Sequence, residues 1–145
     1  MTMSKTYGGC HCGNILVEIE FTRAPGTYNP RACDCDFCRK HGASYVSDPQ
    51  GSLLVRIKNE RDSGKYRQGS GQADLLVCRN CGVLVGAFYS SDGRLYAAVN
   101  AKIVDNQVSF GTEQSVSPKK LSDGEKVGRW QDIWFSKVSL VHDDV

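Results

Sequence analysis

Asp74-Leu75-Leu76-Val77-Cys78-Arg79-Asn80-Cys81-Gly82-Val83-Leu84-Val85-Gly86-Ala87-Phe88-Tyr89 sets two apolar runs on either side of a Cys-x-x-Cys-Gly turn. Short runs of Leu, Val and aromatic residues bounded by a glycine-containing turn read as strands. The stretch therefore predicts a hairpin with two cysteines at its tip. A redox Cys-x-x-Cys is expected to follow a strand and open a helix. This one lies between two strand-like runs, which argues against thiol–disulfide exchange. Gly82, directly after Cys81, permits the positive φ that turns backbone N–H groups toward the sulfurs of a metal knuckle.

The same style continues outward. In Leu16–Phe21, Val17, Ile19 and Phe21 alternate with polar residues, the period of a half-buried strand. Ser52 to Lys58 continues it, and Arg94 to Val99 follows a turn at Ser91-Asp92-Gly93. Fifteen glycines suit a mainly β chain with many tight turns. A short helix is expected from Asp36 to His41. The polar, turn-rich segment from Gly111 to Gly128 predicts a long surface loop. Trp130 and Trp134, four apart, fit one helical face or the flanks of a last strand from Ile133 to Val141. Core packing and a role in lining an active site are both open to them. The length of 145 residues fits one domain spanning 1–145.

Bulk properties narrow the function. No apolar stretch approaches the ~20 residues of a membrane span. The stretch Met1-Thr2-Met3-Ser4-Lys5-Thr6-Tyr7-Gly8-Gly9 lacks a signal-peptide run, so a cytoplasmic protein is expected. The formal charge of +2 is spread along the chain, with no basic run for nucleic acid. Thiolates holding zinc would turn that small positive count slightly negative.

The seven cysteines fall into three tight groups: Cys10 with Cys12, Cys33 with Cys35 and Cys38, and Cys78 with Cys81. The odd count and the Cys-x-Cys spacings, which bridge poorly, disfavour disulfides. Closely spaced thiolates favour zinc. Two closed tetrahedral sites need eight ligands, so seven leave one position open. Cys10, Cys12, Cys78 and Cys81 come as two pairs, each followed by glycine (Gly13, Gly82), and would pinch one structural ion. Cys33, Cys35 and Cys38 supply three ligands from one loop, the pattern of a catalytic zinc. His41 is the alternative closing ligand of that second site. His11 is expected to point away from the metal, and His142 to be solvated in a polar tail.

Gly8-Gly9-Cys10-His11-Cys12-Gly13, Cys33-Asp34-Cys35-Asp36-Phe37-Cys38-Arg39-Lys40 and Cys78-Arg79-Asn80-Cys81-Gly82 resemble the three signature blocks of the glutathione-dependent formaldehyde-activating enzymes, a family that includes centromere protein V. The resemblance covers roughly residues 7 to 100. It implies a β-tent of antiparallel sheets with zinc knuckles. It implies a structural zinc at Cys10, Cys12, Cys78 and Cys81, and a second zinc at Cys33, Cys35 and Cys38 where glutathione acts as co-substrate. The implied activity is that of a carbon–sulfur lyase or synthase, forming S-hydroxymethylglutathione from glutathione and formaldehyde. Glutathione carries two carboxylates, so the pocket should offer cations. Arg39 and Lys40, next to the third ligand, are the first candidates. Tyr45 is a candidate hydroxyl donor. The alternative is a non-catalytic zinc module that binds a protein or carries a thiol. The chain departs from the family pattern after about residue 105.

Overall fold

Ile15, Val17, Ile19 and Phe21 point one way along a strand and are at most 1% exposed, while Leu16, Glu18 and Glu20 point the other way. That alternation recurs through the computed structural model, which describes residues 4–67, 71–105 and 108–143. Met1–Met3, at the head of the N-terminal stretch read above, lie outside the described residues. The elements in chain order are β1 (Ser4–Gly9), β2 (Ile15–Phe21), β3 (Arg31–Cys33), α1 (Asp36–His41), β4 (Tyr45–Val46), β5 (Ser52–Ile57) and β6 (Ser63–Tyr66). Then follow β7 (Asp74–Cys78), β8 (Leu84–Ser91), β9 (Arg94–Asn100), β10 (Gln114–Val116), α2 (Asp123–Ile133) and β11 (Val138–His142).

The fold is mainly β, built from two sheets. A four-stranded sheet runs β1-β2-β5-β11, and a seven-stranded sheet runs β10-β3-β4-β9-β8-β7-β6. The pairing is antiparallel except at the two strands from the C-terminal part of the chain. β10 runs parallel to β3, and β11 runs parallel to β5. The β8–β9 hairpin turns at Asp92 and Gly93, both at positive φ (52° and 76°), as a two-residue hairpin turn requires.

The large sheet is buried on both faces, which explains its nearly continuous apolar runs. Leu76, Val85, Phe88, Ala97 and Val99 join Ile15, Val17, Val55 and Ile57 of the small sheet in one core. Their neighbours Leu75, Leu84, Ala87 and Ala98 turn to the opposite face. There they pack against Cys38 of α1 and against Trp130 and Trp134. The two cysteine groups are divided by the same sheet. Cys10 and Cys78 belong to the core between the sheets, and Cys33, Cys35 and Cys38 to the outer cluster.

The expected loop from Gly111 to Gly128 is instead structured. It contains β10, a 3-10 turn at Pro118–Lys120 and the start of α2. Ser122 caps α2, its Oγ accepting from the Glu125 N–H (3.2 Å) while the Glu125 carboxylate accepts from the Ser122 N–H (2.8 Å). Trp130 lies in α2 and Trp134 caps its end, with their rings stacked 5.0 Å apart. The helical reading of that pair holds, and the last strand starts later than expected, at Val138. His142 is in β11, not in a free tail, and its Nδ1 contacts Glu60 Oε2. No helix among the described residues is long and apolar enough to cross a membrane.

Candidate metal centres and the cavity beside one of them

Cys10 and Cys12 lie in the turn between β1 and β2; Cys78 ends β7, and Cys81 precedes β8. Their four sulfurs lie within 4.8 Å of one another. Cys12 Sγ is 3.8 Å from Cys10 Sγ and 3.5 Å from Cys78 Sγ, far longer than a disulfide bond, and none of the seven cysteines is in a disulfide. Gly13 and Gly82 both adopt positive φ, 84° and 82°. The N–H of Ile15 points at Cys10 Sγ (3.3 Å) and that of Cys81 at Cys78 Sγ (3.5 Å). Burial pushes the Cys78 thiol up to about 12. A hydrogen bond from Asn80 brings Cys12 down to about 6. Four crowded sulfurs cannot all ionise without a compensating cation. Four soft ligands with N–H support suit a closed tetrahedral zinc. His11 is exposed and is not part of the group.

The second group forms where β3 runs into α1. Cys33 ends the strand, Cys35 caps the helix, and Cys38 lies in its first turn. Cys35 Sγ accepts from the Cys38 N–H (3.5 Å), and the three sulfurs lie within 4.8 Å of one another. A hydrogen bond with Cys38 brings Cys33 down to about 6, and the same bond, with burial, drives Cys38 up. Three sulfurs sharing charge in this way suit a divalent ion with one position left for another ligand. His41 does not join them. It is exposed, and its ring packs on Phe37 at 4.5 Å. Tyr45 does reach the group, its hydroxyl 3.2 Å from Cys38 Sγ. Burial and the charge of the nearby sulfurs push that hydroxyl up, so it stays protonated and is able to donate to a Cys38 thiolate.

These three cysteines and Tyr45 line a cavity of about 140 Å³. Leu75, Ala87, Ala98, Trp130 and Trp134 form its apolar wall. Its cations are Arg31, Lys119, Lys126 and Arg129. Arg39 and Lys40 are exposed on the last turn of α1 and are not among the lining residues. Arg31 donates to Ser47 Oγ (2.7 Å), and burial with the charge of Arg129 pushes it down to about 10. Burial lowers Arg129 as well, opposed by the charge of Cys33. Lys119 approaches Asp34 Oδ2 at 3.9 Å, and Ser117 Oγ donates to the same oxygen.

None of the four lining cations was picked out by spacing alone. Arg31 is two residues before Cys33, but the other three come from the segment after β9. A basic residue in every turn of a capped helix is common on any surface, so the sequence carries no distinctive signal for them. The capping box Ser122-x-x-Glu125 was the available clue that a helix, not a loop, carries Lys126 and Arg129.

The family model for glutathione-dependent formaldehyde-activating enzymes matches residues 5–120. No curated protein matches the chain. A crystal structure of a Rhodobacter sphaeroides protein is similar at 29% identity and a TM-score of 0.54, covering 69% of this chain and 88% of that one. Residues 5–120, matched by the family model, include all seven cysteines, and α2 and β11 lie beyond them. The chain belongs to the family of glutathione-dependent formaldehyde-activating enzymes.

Proposed function

We propose that this chain joins glutathione to formaldehyde, forming S-hydroxymethylglutathione, and cleaves the same carbon–sulfur bond in reverse. The carrying observation is that Cys33, Cys35 and Cys38 face a cavity that also presents fixed cations. On this reading Cys10, Cys12, Cys78 and Cys81 hold a structural zinc, and Cys33, Cys35 and Cys38 hold a second. Cys33, Cys35 and Cys38 would hold the ion, which when bound would lower the pKa of a thiol while leaving its sulfur nucleophilic. The protein acts as one domain, residues 1–145, in a reducing compartment such as the cytoplasm that preserves the thiols.

The chain's own residues supply the rest. The Tyr45 hydroxyl holds Cys38 in position through its 3.2 Å contact. The wall of Leu75, Trp130 and Trp134 limits water around the reacting atoms. Cations on the rim fit a tripeptide with two carboxylates. With both reactants held together, the sulfur adds to the carbonyl carbon. One carbon–sulfur bond forms, the carbon–oxygen π bond opens, and the oxygen takes up a proton in place of the one the thiol gave up. No oxidant or reductant is needed. The gain over the spontaneous reaction comes from proximity.

Native mass spectrometry and an assay corrected for the spontaneous background test this reading. The Cys35→Ser variant should fall from about two zinc ions per chain to about one, stay folded, and lose activity above background. One zinc in the native chain with no thiol bound would sink the proposal and leave a non-catalytic zinc module.

A further inference from the structure

We infer that Arg31 and Arg129 form a carboxylate subsite beside the three-cysteine group, so that the thiol taken by this chain must carry an acid group. The inference rests on the thiol–aldehyde reading above. Arg31 opens β3 two residues before Cys33, and Arg129 projects from α2; both line the cavity. Both are partly buried. Among the described residues, neither is ion-paired to a carboxylate. Arg31 is anchored by a neutral hydroxyl, Ser47 Oγ, which itself donates to the Ile133 carbonyl at 2.6 Å. The carboxylate of the neighbouring loop, Asp34, is held through Oδ2 by Ser117 and by the lining Lys119, and its buried Oδ1 meets no hydrogen-bond partner among the described residues.

Two guanidiniums line the same partly enclosed cavity, and among the described residues neither is paired with a protein carboxylate. Like charges withdrawn from water repel, and an anion between them relieves that repulsion. A guanidinium fork matches a carboxylate with two parallel hydrogen bonds, which a lysine cannot do. Formaldehyde carries no anion, so the requirement falls on the thiol. Arg129 also lies beyond residues 5–120, the span that the family model matches. The selecting arginine therefore comes from the part of this chain that the family pattern does not cover.

The chain's two tryptophans, Trp130 and Trp134, both line the cavity, so intrinsic fluorescence reports occupancy without turnover. The zinc-loaded protein is titrated with S-methylglutathione, which keeps both acids but has no free thiol, and with its diethyl ester. The acid should bind at least about tenfold more tightly than the ester, as expected for a charge-assisted pair. Arg129→Gln should erase that preference, and Arg129→Lys should restore only part of it. Equal binding of acid and ester, or no binding of either, overturns the subsite. The ester comparison uses the unaltered protein, so misfolding of a variant cannot decide it. If the acid is preferred but no S-hydroxymethylglutathione forms above background, the subsite stands and the thiol–aldehyde reading falls. If the adduct forms while acid and ester bind alike, the subsite falls and the reading stands.

Discussion

Tyr45 places a single hydroxyl against the three-cysteine group from outside it. Its ring is buried at 8% exposure in the outer core, and its O–H reaches Cys38 Sγ at 3.2 Å. Without that donor, the Cys38 sulfur would have to ionise in an apolar setting with less hydrogen-bond support. Tyr45→Phe keeps the ring and removes only the donor. Supporting hydrogen bonds of this kind are worth roughly 10–100-fold in metal affinity. The variant should therefore give up the second zinc to a chelator at concentrations roughly tenfold lower or more, while the first zinc is retained. Equal chelator resistance at both sites would show that the hydroxyl is only packing. The sequence offered Tyr45 as a candidate, seven residues past Cys38, but not its direction. Direction depends on the pairing of β4 with β9, which sets Tyr45 opposite Asn100. The same limit applies to Arg39 and Lys40. Adjacency to a ligand in sequence placed them near the site, and the turn of α1 carries them to solvent.

At the scale of elements, α2 is the piece that turns a cysteine loop into a cavity. It brings Lys126, Arg129 and Trp130 over the sulfurs, and Trp134 follows directly from its end. Its own sequence is weakly helical, with Gly124 and Gly128 inside it, so it depends on its cap and on tertiary contacts. Two substitutions should move its stability in opposite directions. Ser122→Ala removes the capping box and should cost about 1 kcal/mol. Gly128→Ala meets no atom within 4 Å at the added Cβ and should stabilise by up to about 1 kcal/mol. Thermal unfolding followed by tryptophan fluorescence reads both, because Trp130 and Trp134 report on this helix. Changes of the same sign would mean that α2 is not capped as described. Elements with strong local periods could be read from the sequence: β2 from its alternation, the β7–β8 hairpin from its knuckle, α1 from its short polar turn. α2 showed only in its capping box and in the four-residue spacing of Trp130 and Trp134, because two glycines and a polar face resemble a loop more than a helix. β10 was hidden, and β11 could be read as a last strand but not placed in a sheet, for another reason. Each is a short strand paired in parallel with a distant partner, and nothing local encodes that pairing.

Across the whole molecule, β2 is tied to the large sheet at both of its ends. At the start, Cys10 and Cys12 meet Cys78 and Cys81, so a metal there joins the turn before β2 to the end of β7. At the far end, Thr22 follows β2 and donates through its N–H (2.9 Å) and hydroxyl (2.7 Å) to Asp48 Oδ2. Asp48 lies two residues after β4 and is 3% exposed. Its carboxylate also accepts from the Tyr28 hydroxyl (2.6 Å) and the Gln50 N–H (3.0 Å). The cysteine tie was visible as a motif; the aspartate tie was not, because its four donors come from three residues in two separate connections, β2–β3 and β4–β5. Burial alone would raise the Asp48 pKa, but the bonds from Tyr28, Thr22 and Gln50 outweigh it and bring it down to about 2. A folded pKa below the ordinary 3.8 means that the ionised form stabilises the fold. That contribution is fully present above pH 3.8 and is lost as pH falls through about 2. Its size is on the order of 2 kcal/mol. Asp48→Asn faces the same donors with an amide and should be destabilised by at least that much near neutral pH. The gap between the two proteins should then shrink as the native carboxylate takes up its proton. Urea unfolding of both proteins at each pH measures that gap. Loss of metal in acid is common to both and cancels in the difference. A gap that stays constant down to pH of about 2 would mean that the carboxylate charge is not what holds the second tie.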